Sequence, residues 1–204
     1  MPRLTIPIPD EAIRDLHVGD TVHLNGVLMT GRDAAHKFMV EKLISGPVPT
    51  DQQDLYEELK QLLYGSVIYH CGPVVRKHTD GSWSFVAAGP TTSIREEIYQ
   101  ADVIRHFNLK GVIGKGGMGS STLQACGEQP AVYLHAIGGA ASLIAQSVEK
   151  VLAVHKLEFG VPEAMWVIRV RDFPAVVTMD SHGNSIHEQV KATSEAKLRD
   201  LVGV

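Results

Sequence analysis

The sequence predicts an α/β fold, a single domain in which a mixed central sheet is flanked by helices. Three observations lead there. Segments with the two-residue alternation of a strand are interleaved with segments whose apolar residues recur at helical spacing. Three of the strand-like segments run directly into a polar or glycine-rich loop and then a helix. No repeat, linker or low-complexity tract divides the 204 residues, and the composition is 44% hydrophobic. A chain of that length removes roughly 70% of its unfolded surface from water, enough for one core. The expected unit is residues 1–204, closed by a helix over about 185–202.

In order, residues 4–8 alternate as a strand, and Pro9-Asp10-Glu11 opens a short segment ending at the turn Val18-Gly19-Asp20. Residues 21–29 alternate around Val22, Leu24 and Val27, and 34–43 carry apolar residues at helical spacing. Between them lies Thr30-Gly31-Arg32-Asp33. A proline-rich loop (46–50) precedes a short helix (54–63) and a β-rich run (66–70) that ends at Cys71-Gly72-Pro73. Asp80-Gly81 marks a hairpin turn before a strand at 83–88. Gly89-Pro90-Thr91-Thr92-Ser93-Ile94-Arg95 then leads into a helix over 96–107, expected to be capped by Thr92 or Ser93. Gly111-Val112-Ile113-Gly114 reads as a buried strand running into Lys115-Gly116-Gly117-Met118-Gly119-Ser120-Ser121, with a helix over 122–126. Another strand follows at 131–134, and Gly138-Gly139-Ala140-Ala141 opens an apolar helix expected to continue through Val151. Strands at 166–170 and 175–179, the turn Asp180-Ser181-His182-Gly183-Asn184 and the terminal helix complete the chain.

Composition narrows the function. A net charge of -4 and a pI near 6.2 argue against the broad basic surface that nucleic acid demands. No apolar run approaches the roughly 20 residues that cross a bilayer, and Met1-Pro2-Arg3 leads into a strand-like segment rather than a signal peptide. Two widely spaced cysteines, Cys71 and Cys126, suit a cytoplasmic chain with buried thiols. They are too few to hold an iron-sulfur cluster, which takes three or four thiolates. Ten histidines show no HExxH or comparable ligand spacing. Lys115 lacks the spacing of a phosphate loop, because Gly116 follows it, and Gly119-Ser120-Ser121 is not a nucleophile elbow.

The three strand-ending loops carry the chemistry. Each alone reads equally well as a turn with solvated charges. Together they offer Arg32, Arg95 and Lys115 with the hydroxyls of Thr91, Thr92 and Ser93, a set suited to a small dicarboxylate, whose oxygens favour forked guanidinium donors and backbone amides.

Thr30-Gly31-Arg32-Asp33-Ala34-Ala35-His36, Gly89 to Arg95, and Ile113-Gly114-Lys115-Gly116-Gly117-Met118 resemble the signatures of the beta subunit of class I iron-sulfur fumarate hydratase and of the related two-subunit L(+)-tartrate dehydratase. Gly138-Gly139-Ala140-Ala141 and the segment from Phe173-Pro174 to Asn184 continue the likeness, which covers residue 4 to about residue 186. It implies a swivelling β/β/α domain that packs against an alpha subunit, as heterodimer or heterotetramer. It also implies a 4Fe-4S cluster held by that partner, with one iron open to substrate as a Lewis acid. Carried over motif by motif, it makes Thr91 and Lys115 catalytic, with Arg32, Arg95 and Lys115 on the substrate's carboxylates and Thr92 beside them. Thr91 matches the family's proposed base, a role an alcohol fills only when neighbouring cations lower its pKa.

The expected activity is reversible hydration of fumarate to malate, completed by the alpha subunit. Tartrate dehydration, mesaconate hydration, a non-catalytic interaction subunit and a self-sufficient anion-binding module are the alternatives. In one respect the chain departs from the family: Glu96-Glu97 follows Arg95 where a methionine-led stretch is usual. Two expectations follow: carboxylates beside the proposed clamp that alter the choice of substrate or, more simply, an acidic first helical turn favoured by the helix dipole.

Overall fold

A computed structural model describes residues 2–203 and gives the order β1 (Arg3–Thr5), α1 (Asp10–Arg14), β2 (Thr21–Thr30), α2 (Asp33–Phe38), α3 (Gln53–Leu63), β3 (Val67–Tyr69), β4 (Val74–Lys77), β5 (Trp83–Ala87), α4 (Glu97–Phe107), β6 (Gly111–Gly114), α5 (Ser120–Glu128), β7 (Val132–His135), α6 (Ala141–Ala145), β8 (Val148–His155), β9 (Met165–Met179) and α7 (Ile186–Val202). Seven strands form one sheet in the order β1-β2-β3-β6-β7-β9-β8, and β4-β5 make a separate hairpin. The sheet is mixed, as expected: β1, β2, β3, β6 and β7 run parallel, whereas β9 is antiparallel to its neighbours. An additional β2–β9 pairing joins its two halves, so β2, β3, β6, β7 and β9 form a closed ring.

Alternation along the strands divides the apolar residues between two cores. Val67 and Tyr69 point into the ring with Leu24, Ile113, Leu134 and Phe173. Ile68, between them, points outward with Val112 and Tyr133 against Leu59, Val103 and Phe107 of the helices. Fully burying a side chain of this size contributes about 1.5–3 kcal/mol. The parallel strands therefore read as continuous apolar runs because both faces are covered.

The structure corrects the sequence reading at several points. The first strand is shorter than 4–8, because Pro7 and Pro9 have no N–H to give to a ladder. The helix expected over 34–43 starts at Asp33, and its last turn, Met39–Ile44, is a π-helix. The helix expected to reach Val151 stops at Ala145, and Val148–His155 is an edge strand along β9. Register shifts at Val148/Lys150 and Val151/Ala153 break its alternation and leave apolar residues at spacings that resemble a helix. The two expected closing strands are one, β9, which runs through Phe173-Pro174. Asp172, at φ 48°, takes up the irregularity opposite Leu24/Gly26 and gives its N–H to Asn25 Oδ1. Pro174 faces His23 inside the ladder. Neither Thr92 nor Ser93 caps α4: residues Ser93–Glu96 form a 3-10 turn, and no side chain caps the helix that follows. Among the described residues no helix is long and apolar enough to cross a membrane.

Candidate active site

The parallel strands deliver their C-terminal ends, and the loops beyond them, to one end of the ring. Tyr69 and Ile113 are paired partners on β3 and β6. Just past them, residues 90–92 insert between the two chain segments through isolated bridges. Thr91 N–H donates to His70 O at 2.7 Å and Lys115 N–H to Thr91 O at 3.2 Å, and Ser93 N–H donates to Lys115 O at 3.1 Å. Cys71 bridges Pro90 on one side, and Thr92 bridges Lys115 on the other. Tyr69 O–H donates to Ala88 O at 2.5 Å and fixes the approach of this segment. The sequence-predicted residues Thr91, Thr92 and Lys115 are thereby brought together by backbone hydrogen bonds rather than by helix caps.

Gly114 allows this insertion, since a Cβ there would fall on Ser93 Oγ and crowd Tyr133 Oη. Beyond it, Gly116 and Gly117 both take φ near 80°, the left-handed region. A side chain at Gly117 would also strike the His187 ring.

The side chains of the site differ in what already engages them. Thr91 Oγ1 is buried and has no hydrogen-bond partner. Lys115 is half-buried, with its stem alongside Gly138, and among the described residues no carboxylate pairs with its ammonium. Arg32 and Arg95 are both occupied. Arg32 Nε lies 3.3 Å from Glu163 Oε1 but has no aligned acceptor, so the contact is one of charge. Its Nη1 passes beside Gly72, where a Cβ would collide with it. Arg95 Nη2 pairs with Asp33 Oδ2 at 2.8 Å, tying the second loop to the first. A guanidinium has five donors, so one such contact leaves a fork for a ligand carboxylate. Thr92 is exposed at the rim.

Behind the loops lies a buried polar layer that sequence reasoning missed apart from the Ser93 hydroxyl. Tyr133 Oη donates to Ser93 Oγ at 2.8 Å; Ser93 Oγ lies 2.8 Å from His70 Nδ1; His70 Nε2 lies 2.8 Å from Gln100 Oε1. The Gln100 amide faces His36, whose Nδ1 lies 2.9 Å from Arg32 O. Burial holds both imidazoles below their usual range, His70 further down because His36 stands beside it. Neutral rings then fix every role: His36 donates from Nδ1, His70 donates from Nε2 and accepts from Ser93 at Nδ1. The hydrogen bonds run from Tyr133 through Ser93 and His70 to Gln100, while His36 makes its own bond to the Arg32 carbonyl, and Gln100 Nε2 and His36 Nε2 are both left without a hydrogen-bond partner. Glu163, in the loop before β9, was equally invisible: it accepts from Ala34 N–H at 3.1 Å while facing Arg32.

The acidic pair after Arg95 does open its own helical segment, Glu96 closing the 3-10 turn and Glu97 standing in the first turn of α4, but the Glu97 carboxylate is turned to another helix. Glu97 accepts from Gly119 N–H at 2.8 Å and from Thr122 N–H and Oγ1–H at 3.2 and 2.6 Å, so it caps α5 instead. Glu96 is fully buried, and burial together with Asp33 pushes its carboxyl up to about 8.

The donor set does not fit an iron-sulfur cluster. Cys71 and Cys126 are fully buried in the two different cores, and burial pushes both thiols up to about 12. Among the described residues no three His, Cys, Asp or Glu side chains converge as metal ligands.

Comparisons with known proteins converge on one family. The family model described as Fumarase C-terminus matches residues 3–190. A putative class I fumarate hydratase of Geobacillus stearothermophilus is 53% identical over 195 residues, which is 96% of this chain and 35% of the relative. This chain thus spans about a third of that relative's length. The L(+)-tartrate dehydratase subunit beta of Escherichia coli K12 is 40% identical over 184 residues, covering 90% of this chain and 85% of the relative. A putative L(+)-tartrate dehydratase subunit beta of Methanocaldococcus jannaschii is 42% identical over 194 residues, with 94% of each chain covered.

Proposed function

Since this chain belongs to the Fumarase C-terminus family, we propose that it is the beta-type part of a hydro-lyase that interconverts fumarate and malate in the cytoplasm. On this reading it is active only with an alpha-type subunit that carries the 4Fe-4S cluster. One observation carries the proposal: a buried hydroxyl without a partner, Thr91 Oγ1, stands one backbone hydrogen bond from Lys115, whose ammonium faces no carboxylate among the described residues. Water-poor surroundings strengthen any electrostatic contact made there.

In this assignment Arg95 and Arg32 hold the two carboxylates of the diacid through the guanidinium edges that Asp33 and Glu163 leave open. Lys115 stabilises negative charge as it develops beside the substrate carboxylate. Thr91 Oγ1 handles the proton at the adjacent carbon, with the nearby cations favouring its ionised form. Thr92, at the rim, contributes a further hydroxyl contact. Assigning the cluster to the partner is supported by this chain's two thiols, which are buried in separate cores.

The relatives also support a second reading in the same reaction class, dehydration of tartrate, since two relatives covered over 85% and 94% of their length bear that name. Anaerobic reconstitution with a cluster-bearing alpha subunit, followed by optical assay of fumarate, tartrate and mesaconate, decides between them. Turnover only in the mixture supports the half-enzyme, and the fastest diacid names the substrate. Arg95→Ala should then lower kcat/KM about a hundredfold with folding intact, a loss typical of one charged contact to the transition state. Wild-type turnover in that variant would overturn the site assignment.

A further inference from the structure

Three buried oxygens beside Arg95 have no donor: Asp33 Oδ1, Glu96 Oε1 and Glu96 Oε2. Buried acceptors without donors are rare in folded proteins, and two facing carboxyls resolve the shortage by sharing one proton. The other Asp33 oxygen, Oδ2, is held by Arg95 at 2.8 Å. Asp33 and Arg95 are each about half exposed, 42% and 54% by side chain, whereas Glu96 is fully buried. The proton therefore belongs to Glu96, which donates it to Asp33.

We propose that Glu96 is a positioning residue acting through Arg95: neutral, it braces Asp33 and leaves one guanidinium edge for the substrate; ionised, it draws Arg95 inward and weakens substrate binding. The proposal rests on the dicarboxylate site assigned above. The groups facing Glu96 are few. Asp33 comes from the start of α2, Arg95 from the same 3-10 turn, and Tyr133 from β7 with its hydroxyl already given to Ser93. Burial holds the nearby histidines below their usual range; His70 is bonded to Ser93 and Gln100, and His36 to the Arg32 carbonyl. The backbone N–H of Glu96 itself and Arg95 oppose the proton; burial and Asp33 outweigh them and hold it to about pH 8.

Three readouts test this, two of them independent of turnover. In the full chain labelled with 13C at glutamate carboxyls, one resonance should titrate with a midpoint near 8, and Glu96→Gln should remove it. The unfolded chain releases this proton in the ordinary carboxylate range, whereas the folded chain keeps it until about pH 8. Folding is therefore weakened progressively as pH rises through that window and levels off above it. The wild-type thermal midpoint should fall relative to Glu96→Gln over the same interval.

In the reconstituted complex, the wild-type KM for the diacid should rise about fivefold from pH 7 to 9.5, the effect of one partly exposed charge pair. Glu96→Gln keeps the donor to Asp33 and should hold KM level, as should the neutral Glu96→Met. A Glu96 resonance in the ordinary carboxylate range, or a KM in Glu96→Gln that climbs like the wild type's, overturns the proposal. Absence of turnover in the wild-type complex overturns the hydro-lyase reading and the substrate half of the proposal, while the titration still decides where the proton sits.

Discussion

Two lysines bracket the strand Gly111–Gly114, and the structure uses them in opposite ways. Lys110, at the strand's start, is 2% exposed, and its ammonium is satisfied by Asp10 at 2.7 Å and Asn108 Oδ1 at 2.8 Å. Lys115, at its end, is half-buried and meets no carboxylate among the described residues. Five residues apart on one element, they separate a cation that holds the fold from one left open to a ligand. Charge alone does not mark a site; what matters is whether the protein already neutralises it. The contrast also follows the strand direction, with the open lysine at the C-terminal edge where parallel strands expose their loops.

The largest expected effect tests the open lysine. Lys115→Met should lower kcat/KM of the reconstituted complex about 10²–10³-fold while the urea midpoint of the chain barely moves. If turnover survives, the lysine contrast is structural only. Next comes its hydroxyl neighbour: Thr91→Val should lower kcat about a hundredfold, and Thr92→Val, at the exposed rim, should cost only about threefold. Equal losses at the two threonines would place the reacting group elsewhere on the loop. The smallest effect on turnover belongs to the satisfied lysine. Lys110→Met should cost about 2 kcal/mol of folding stability in urea melts, since Asp10 can turn toward water, and should leave turnover per folded molecule near wild type.

The sequence made the parallel strands, their order with the helices, and three chemically dense loops legible, because apolar runs and glycine punctuation are local signals. Ring closure was not legible. It depends on β9 reaching β2 across the whole chain, and the apparent break at Phe173-Pro174 is bridged by Asp172 in a left-handed conformation. The strand at Val148–His155 was concealed by its own bulges.

In the candidate site, Arg32, Thr91, Thr92, Arg95 and Lys115 could be picked out by residue type and motif. Their existing partners could not. Glu163 lies in a featureless loop, and the acidic Glu96-Glu97 pair gave no hint that one member would be buried against Asp33 while the other capped α5. Side-chain burial of this kind is set by tertiary contacts that leave no periodic trace in the chain.

The buried relay from Tyr133 through Ser93 and His70 to Gln100, with the neighbouring His36 bonded to the Arg32 carbonyl, has a consequence for observation. Its two imidazole N–H protons are sealed from solvent and held in fixed hydrogen bonds. Such protons exchange slowly and resonate far downfield of the crowded amide region, so the protein carries its own pair of beacons next to the loops. Without label or substrate, their presence or disappearance would tell an observer whether the arginine-bearing loops are in place, with or without the proposed alpha-type subunit.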